Sequence, residues 1–235
     1  MHPDPYWLAF GDIHDDCSRL DEIPELAGAA GILVTGDITL DGGIARARRM
    51  LEPISLRAPL LLAQIGNMDR GEVTGWLEEK GWNLHGRARE LFPGVIAVGV
   101  GGSPFTPFDT PSEFSEEQLA ECMEHAYTEA ARMGHSYGAS LPLLVLVSHT
   151  PPHATACDRL HNGTPVGSVA VRDFIEKYRP AVCLCGHIHE SRAEDRIGDT
   201  VVINPGTLSA GGYVVLRRRE IQGRLELDLE LKVLP

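Results

Sequence analysis

Five short polar signatures punctuate the 235-residue chain, each at the end of an apolar run: GDIH at 11–14, GD at 36–37, GNMD at 66–69, SH at 148–149 and GHIH at 186–189. They supply Asp12, His14, Asp37, Asn67, His149, His187 and His189. Mixed carboxylates and imidazoles suit divalent transition metals, and seven such groups suffice for two ions if one carboxylate bridges. The chemistry this points to is metal-assisted hydrolysis of a phosphate ester.

Taken singly, the signatures differ in weight. A lone Gly-Asp after a strand is usually a turn, because Gly tolerates positive φ and Asp bonds its own backbone. Period-two geometry places Asp12 and His14 on one side of an extended stretch, where both reach one ion. His187 and His189 follow the apolar run Ala181 to Cys185. Two imidazoles there are costly to desolvate unless ligated or otherwise paired. The ordered set carries the reading.

That order, D-x-H, GD, GN-x-D, H and GH-x-H, resembles the calcineurin-like metallophosphoesterase superfamily over nearly the whole chain. Residue by residue, the resemblance implies that Asp12, His14, Asp37 and His189 hold one ion and that Asp37, Asn67, His149 and His187 hold the other, with Asp37 as bridge. The segments SHTPPH at 148–153, GHIHES from 186 and NPGT at 204–207 are similar to a bacterial and archaeal branch of small cytosolic phosphoesterases. The fold implied is an α/β, four-layer α-β-β-α sandwich of two facing mixed sheets covered by helices, one domain over residues 1–235. The cofactor implied is two divalent transition-metal ions, manganese foremost, with iron, nickel, zinc and cobalt also accepting N and O ligands. Hydrolysis is then direct: water activated between the ions attacks phosphorus in line, with no Ser or Cys nucleophile.

One position departs from the pattern. The family's usual Gly-Asn-His has a histidine that bonds the phosphate and assists the leaving group, whereas here the residue is Met68. A thioether is a weak acceptor and supplies no proton, so monoester hydrolysis is disfavoured relative to phosphodiesters. The loop HTPPHATACDRLHNGTPVGS at 149–168 offers alternatives. His153 is a candidate for the missing acid, and His153, His161 and Ser168, the last at a helix start, are candidate phosphate contacts beside Met68. Asp15, Asp16 and Asp69 are candidates for orienting ligand histidines.

Composition limits the alternatives. With 33 acidic against 21 basic residues, the formal charge is −12, which disfavours a nucleic-acid polymer as partner and with it a nuclease. A small phosphate ester at a metal pair remains compatible. A protein-binding scaffold on the same fold is the other rival, permitted by Met68 and opposed by the full ligand set. No apolar stretch approaches the roughly 20 residues needed to span a bilayer, and Met1 to Phe10 lacks a signal-peptide core, so a cytoplasmic protein without membrane association is expected. The five cysteines, an odd number, suggest no disulfide framework, and Cys183 and Cys185 read as two thiols on one face of a buried strand. The oligomeric state is left open, and His2, His85, His125 and His135 stand outside any motif.

The scaffold that must position the motifs alternates. Tyr6 to Phe10, Gly31 to Thr35, Pro59 to Ile65, Val95 to Val100 and Leu143 to Val147 read as buried strands, with helical stretches near 19–27, 41–51 and 71–80 between the first four. That alternation favours parallel pairing, with ligands at the carboxyl ends of the strands. Ser115 and Gln118 match a capping box opening a long core-packing helix through Ala131, and 101–114 reads as an ordered loop that walls the site. Gly212 to Arg218 and the alternating Leu225 to Val233 are expected to pair across a turn at Gln222 and Gly223.

Overall fold

The computed structural model describes residues 5–134 and 142–235; His2 and His135 lie outside the described residues. Strands β1 (Tyr6–Phe10), β2 (Gly31–Val34) and β3 (Leu61–Ala63) are parallel. They form one sheet with the hairpin β10 (Gly212–Ile221) and β11 (Arg224–Val233), in the order β11-β10-β1-β2-β3. The second sheet contains β4 (Ala88–Phe92), β5 (Val95–Val100), β6 (Leu143–Ser148), β7 (Val182–Leu184), β8 (Ala193–Ile197) and β9 (Thr200–Asn204), in the order β4-β5-β6-β7-β9-β8. Its inner strands are parallel and its two edges antiparallel.

Side-chain alternation turns these sheets into layers. In β1, Leu8 and Phe10 enter one core with Leu51 and Leu77 of helices α1 (Ile44–Ser55) and α2 (Glu72–Glu79), whereas Trp7 and Ala9 point the other way. There they meet Val95 and Ala97 of β5 and Val145 and Val147 of β6, closing a core between the sheets. Ile96 and Val98 face Leu119 and Met123 of α3 (Glu116–Gly134) and Phe174 of α4 (Val169–Tyr178). Period-two strands thus serve two cores each, giving the α-β-β-α sandwich. Cys183 and Cys185 share the outer, helix-covered face of β7, as alternation requires. Among the described residues no helix is long and apolar enough to cross a membrane.

Several local expectations need correction. The stretch 19–27 forms no helix but two short 3-10 turns, Leu20–Glu22 and Leu26–Gly28. Pro24 is the reason: it removes a donor and disfavours helical backbone at the preceding residue, and Ile23 takes φ −68° and ψ 113°. The helix expected at 41–51 begins only at Ile44, after Gly42 and Gly43, and runs on to Ser55. The edge strands β4 and β8 and the neighbouring β9 add to the expected set; β8, AEDRI, carries too many charges to resemble a buried run. The long helix starts as expected, with Gln118 N–H donating to Ser115 Oγ at 3.2 Å and Ser115 N–H to Gln118 Oε1 at 2.8 Å.

The helix start at Ser168 is also real, but its N–H groups are already engaged. The Glu116 carboxylate accepts from Ser168 Oγ at 2.6 Å, from Val169 N–H at 3.1 Å and from Ala170 N–H at 2.9 Å. An internal anion therefore occupies the place expected to receive phosphate, and Ser168 is buried behind it. Glu116→Ala should cost about 1–2 kcal/mol of stability, since it removes the acceptor of the Val169 and Ala170 N–H groups and its charge from the start of α4, while Ser168 still caps Val171 N–H. Urea unfolding would show this as a lower midpoint, and an unchanged midpoint would mean that the Glu116 carboxylate contributes nothing.

Candidate metal centre

All seven candidate ligands lie just beyond the carboxyl ends of parallel strands: β1 leads to Asp12 and His14, β2 to Asp37, β3 to Asn67, β6 to His149, and β7 to His187 and His189. The sheets thereby bring together residues up to 177 positions apart in sequence at one end of the sandwich. Asp12, His14, Asp37 and His189 form one group, and Asp37, His149 and His187 another, with ligand atoms within 4.8 Å of one another in each. In the first, His14 Nε2 lies 3.0 Å from His189 Nε2 and 3.7 Å from Asp37 Oδ2, and His189 Nε2 lies 3.4 Å from Asp12 Oδ1. In the second, His149 Nε2 is 3.5 Å from Asp37 Oδ2 and 3.0 Å from Asn67 Oδ1.

The backbone is bent to achieve this. Asp12, His14, Asp37 and His187 all have positive φ, between 48° and 69°, a region costly for residues with a Cβ. Local hydrogen bonds hold them there: Asp12 N–H donates to Gly36 O at 3.0 Å, and Ile13 and His14 N–H both donate to Asp37 O, at 2.8 and 3.0 Å. His187 N–H donates to both Asp12 oxygens at 3.1 Å. The glycines within the motifs leave room for these approaches. A Cβ at Gly66 would overlap the Asp37 carboxylate, and one at Gly186 would overlap Asp12.

Electrostatics favour positive charge at this point. Burial would raise the Asp37 pKa, but His149, His14 and His187 outweigh it and hold the carboxyl below its usual range. Burial pushes His149 down while Asp37 pulls it up, and the second effect wins. Loss of solvation and the neighbouring His149 push half-buried His187 down to about 4. The site thus has one strongly basic and one readily neutral imidazole beside a buried carboxylate. Such a carboxylate accepts either a proton on its neighbour or a metal cation, and the convergent N and O donors fit the latter.

The supporting residues differ from expectation. Among the described residues Asp69 bonds no histidine. It accepts from Ile38 N–H at 3.0 Å, Thr39 N–H at 2.9 Å, Thr39 Oγ1 at 2.8 Å and Gly66 N–H at 2.9 Å, and so ties the Asp37 loop to the Asn67 loop. Asp15 is bonded by Leu40 N–H and Arg46, and Asp16 by Ser18 N–H; among the described residues neither bonds a histidine. Met68 is half-buried, and its N–H donates to Asp37 Oδ1 at 2.8 Å, a role indifferent to its side chain. His153 lies 3.7 Å from Asp158, while His161 is exposed. Asn204, within the NPGT segment, has a role that its motif alone does not reveal. Its amide donates to Cys157 O, Gly186 O and Ile188 O, at 3.3, 3.3 and 2.9 Å, clamping the loop of His187 and His189. An Asn between a buried strand and Pro-Gly was the available signal.

The family described as metallophosphoesterase, calcineurin superfamily, matches residues 142–225. The uncharacterized protein MJ1162 of Methanocaldococcus jannaschii is 34% identical over 183 residues, covering 76% of this chain and 78% of that protein. The chain belongs to the calcineurin superfamily of metallophosphoesterases. TT1561 of Thermus thermophilus superposes with a TM-score of 0.66 at 19% identity, over 96% of this chain and 98% of its own. A phosphopantetheinyl hydrolase of Mycobacterium tuberculosis gives a TM-score of 0.57 at 16% identity, over 88% and 91%. At such identities the likeness is one of fold. Family and donor groups together support a divalent-metal-dependent phosphoester hydrolase acting on a small phosphoester.

Asp69→Ala would leave three buried backbone N–H groups, of Ile38, Thr39 and Gly66, without an acceptor, whereas the Thr39 hydroxyl keeps Gly42 O. A loss of at least about 3 kcal/mol is expected, at about 1–3 kcal/mol for each stranded group. Chemical denaturation would measure it, and a loss below about 1 kcal/mol would show that water replaces the carboxylate.

Proposed function

We propose that this metallophosphoesterase hydrolyses a phosphate ester at a two-cation centre built around Asp37, with phosphodiesters favoured over monoesters. The observation that carries this reading is the division of labour within one carboxylate. Asp37 Oδ1 accepts the Met68 N–H at 2.8 Å, which leaves Oδ2 facing His14 Nε2 at 3.7 Å and His149 Nε2 at 3.5 Å. One oxygen thus serves both donor groups. Asp12, His14 and His189 would complete the first site, and Asn67, His149 and His187 the second.

When bound, a pair of divalent cations stabilises charge on phosphate and acidifies water at neutral pH, and manganese suits this donor set along with iron, cobalt, nickel and zinc. The chain contributes the rest. His149 and Asp12 are buried, whereas the His189 side chain is 44% exposed and that of His14 16%, so substrate approaches from the side of these two histidines. Asn67 presents an amide oxygen that brings no charge, leaving its site one carboxylate fewer than the other. Met68 gives no proton, and departure of the alcohol relies on its own acidity or on a donor from elsewhere, for which His153 is the candidate.

Protein saturated with manganese and freed of excess ion should hold two equivalents per chain by elemental analysis. Asp37→Ala should hold less than one and lose hydrolysis of bis-nitrophenyl phosphate. Retention of less than one equivalent by the natural protein would sink the two-cation assignment. A panel of monoesters, linear and cyclic diesters, nucleotides and a phosphopantetheinyl ester would identify the substrate class.

The second test addresses the missing donor. In a series of aryl and alkyl diesters, log rate should fall steeply as leaving-group pKa rises, and Met68→His should flatten that slope by accelerating poor leaving groups most. A shallow slope in the natural protein would mean that another donor acts, with His153→Ala the variant to examine. Steep slopes of equal size in both proteins would show that residue 68 does not face the leaving oxygen.

A further inference from the structure

The side chain of Asn67 has two ends, and only its oxygen can coordinate a cation. Its orientation is fixed by a chain of hydrogen bonds leading away from the centre into the loop 101–114. Asn67 Nδ2 donates to Thr110 Oγ1 at 3.0 Å, and Thr110 Oγ1 donates to Glu113 Oε1 at 2.6 Å. The same Glu113 oxygen accepts from Thr110 N–H at 2.9 Å and from Thr106 Oγ1 at 2.5 Å. Burial would raise the Glu113 pKa, but the hydroxyl and amide donors of Thr106 and Thr110 hold the carboxyl down at about 2.

The protons available then leave one arrangement. A carboxylate surrounded by three donors can only accept, so the single hydroxyl proton of Thr110 points at Glu113. Thr110 Oγ1 has only lone pairs left for Asn67 and must meet the NH2 end. The carbonyl oxygen is thereby turned to the opposite side, where it lies 3.0 Å from His149 Nε2. A reversed amide would oppose two lone-pair oxygens at Thr110 and aim its NH2 into the donor group of the second site. The loop is itself anchored to the strand end it serves: Ser112 N–H donates to Asn67 O at 3.0 Å, and Ser112 Oγ to Asp69 O at 2.6 Å.

We propose that Thr110 and Glu113 are positioning residues for the second cation site, holding the Asn67 amide with its oxygen toward His149 and His187. The proposal rests on the two-cation reading above. Donation from Nδ2 toward an oxygen already bonded to a carboxylate also polarises the amide and makes its carbonyl oxygen a better ligand. Outer partners of this kind, when removed, weaken metal affinity by about 10–100-fold.

The test is calorimetric titration of manganese chloride into the metal-stripped full chain, comparing the natural protein with Thr110→Val, Thr110→Ser and Glu113→Gln. The natural protein should bind two ions. Thr110→Val, which keeps shape and loses the hydroxyl, should weaken one binding event by about 10–100-fold and leave the other unchanged. Thr110→Ser should restore it, and Glu113→Gln should fall between, because an amide in place of the carboxylate lets the threonine hydroxyl turn. Thermal unfolding of the metal-free variants separates positioning from folding. If Thr110→Val binds both ions as the natural protein does, or if Thr110→Ser fails to restore affinity, the proposal is overturned. Fewer than two ions on the natural protein would instead overturn the two-cation reading.

Discussion

A buried carboxylate costs several kcal/mol of solvation unless donors or positive charge replace the lost water. Asp37 meets that demand from both sides, with a backbone N–H on one oxygen and imidazoles facing the other. The site cannot be built by Asp37 alone. Its own backbone is left-handed, the next two N–H groups are held by Asp69, and the preceding turn is packed against Gly66. A local demand for charge compensation thus dictates the course of three loops from two sheets.

The sandwich makes it possible to meet this demand. Two sheets whose parallel strands end on the same side place loops from both within reach of one point, and the apolar core between the sheets fixes their separation. Trp7 Nε1 donating to Leu91 O at 2.9 Å crosses that core, tying β1 to the second sheet. Gln64, buried one step beyond β3, donates to Val100 O at 3.0 Å and Val147 O at 3.1 Å and joins the sheets directly beneath the donor groups. Rigidity of this kind is what a strained ligand backbone requires, because left-handed residues persist only when their surroundings over-determine them.

Much of the centre was legible because its chemistry lies in residue types that are expensive to bury. Histidines and aspartates at the ends of apolar runs stand out, and parallel strands that end on the same side bring them together; the extended stretch expected for Asp12 and His14 is instead left-handed. What supports them was less visible. Asp69 reads as a partner for histidine because sequence shows a carboxylate near ligands but not which donors it meets; its partners are the N–H groups of 38, 39 and 66 and the Thr39 hydroxyl, from two loops. Ser168 looked like an anion site because Glu116, which fills it, lies 52 residues away. The 19–27 stretch kept enough apolar residues for a helix, and a single Pro24 overrode them. Thr110 and Glu113 lie in a loop that sequence marks as an ordered wall without singling out either residue, and their relation to Asn67 exists only in three dimensions.

On the proposed reading, Asp37 Oδ2, which faces both His14 and His149, would serve two cations at once. Two manganese ions joined through a shared oxygen are magnetically coupled, whereas ions in separate sites behave independently. Electron paramagnetic resonance of the protein carrying two equivalents of manganese should therefore show an exchange-coupled spectrum, lost in Asp37→Asn at equal loading. The sum of two independent mononuclear signals in the natural protein would contradict the account.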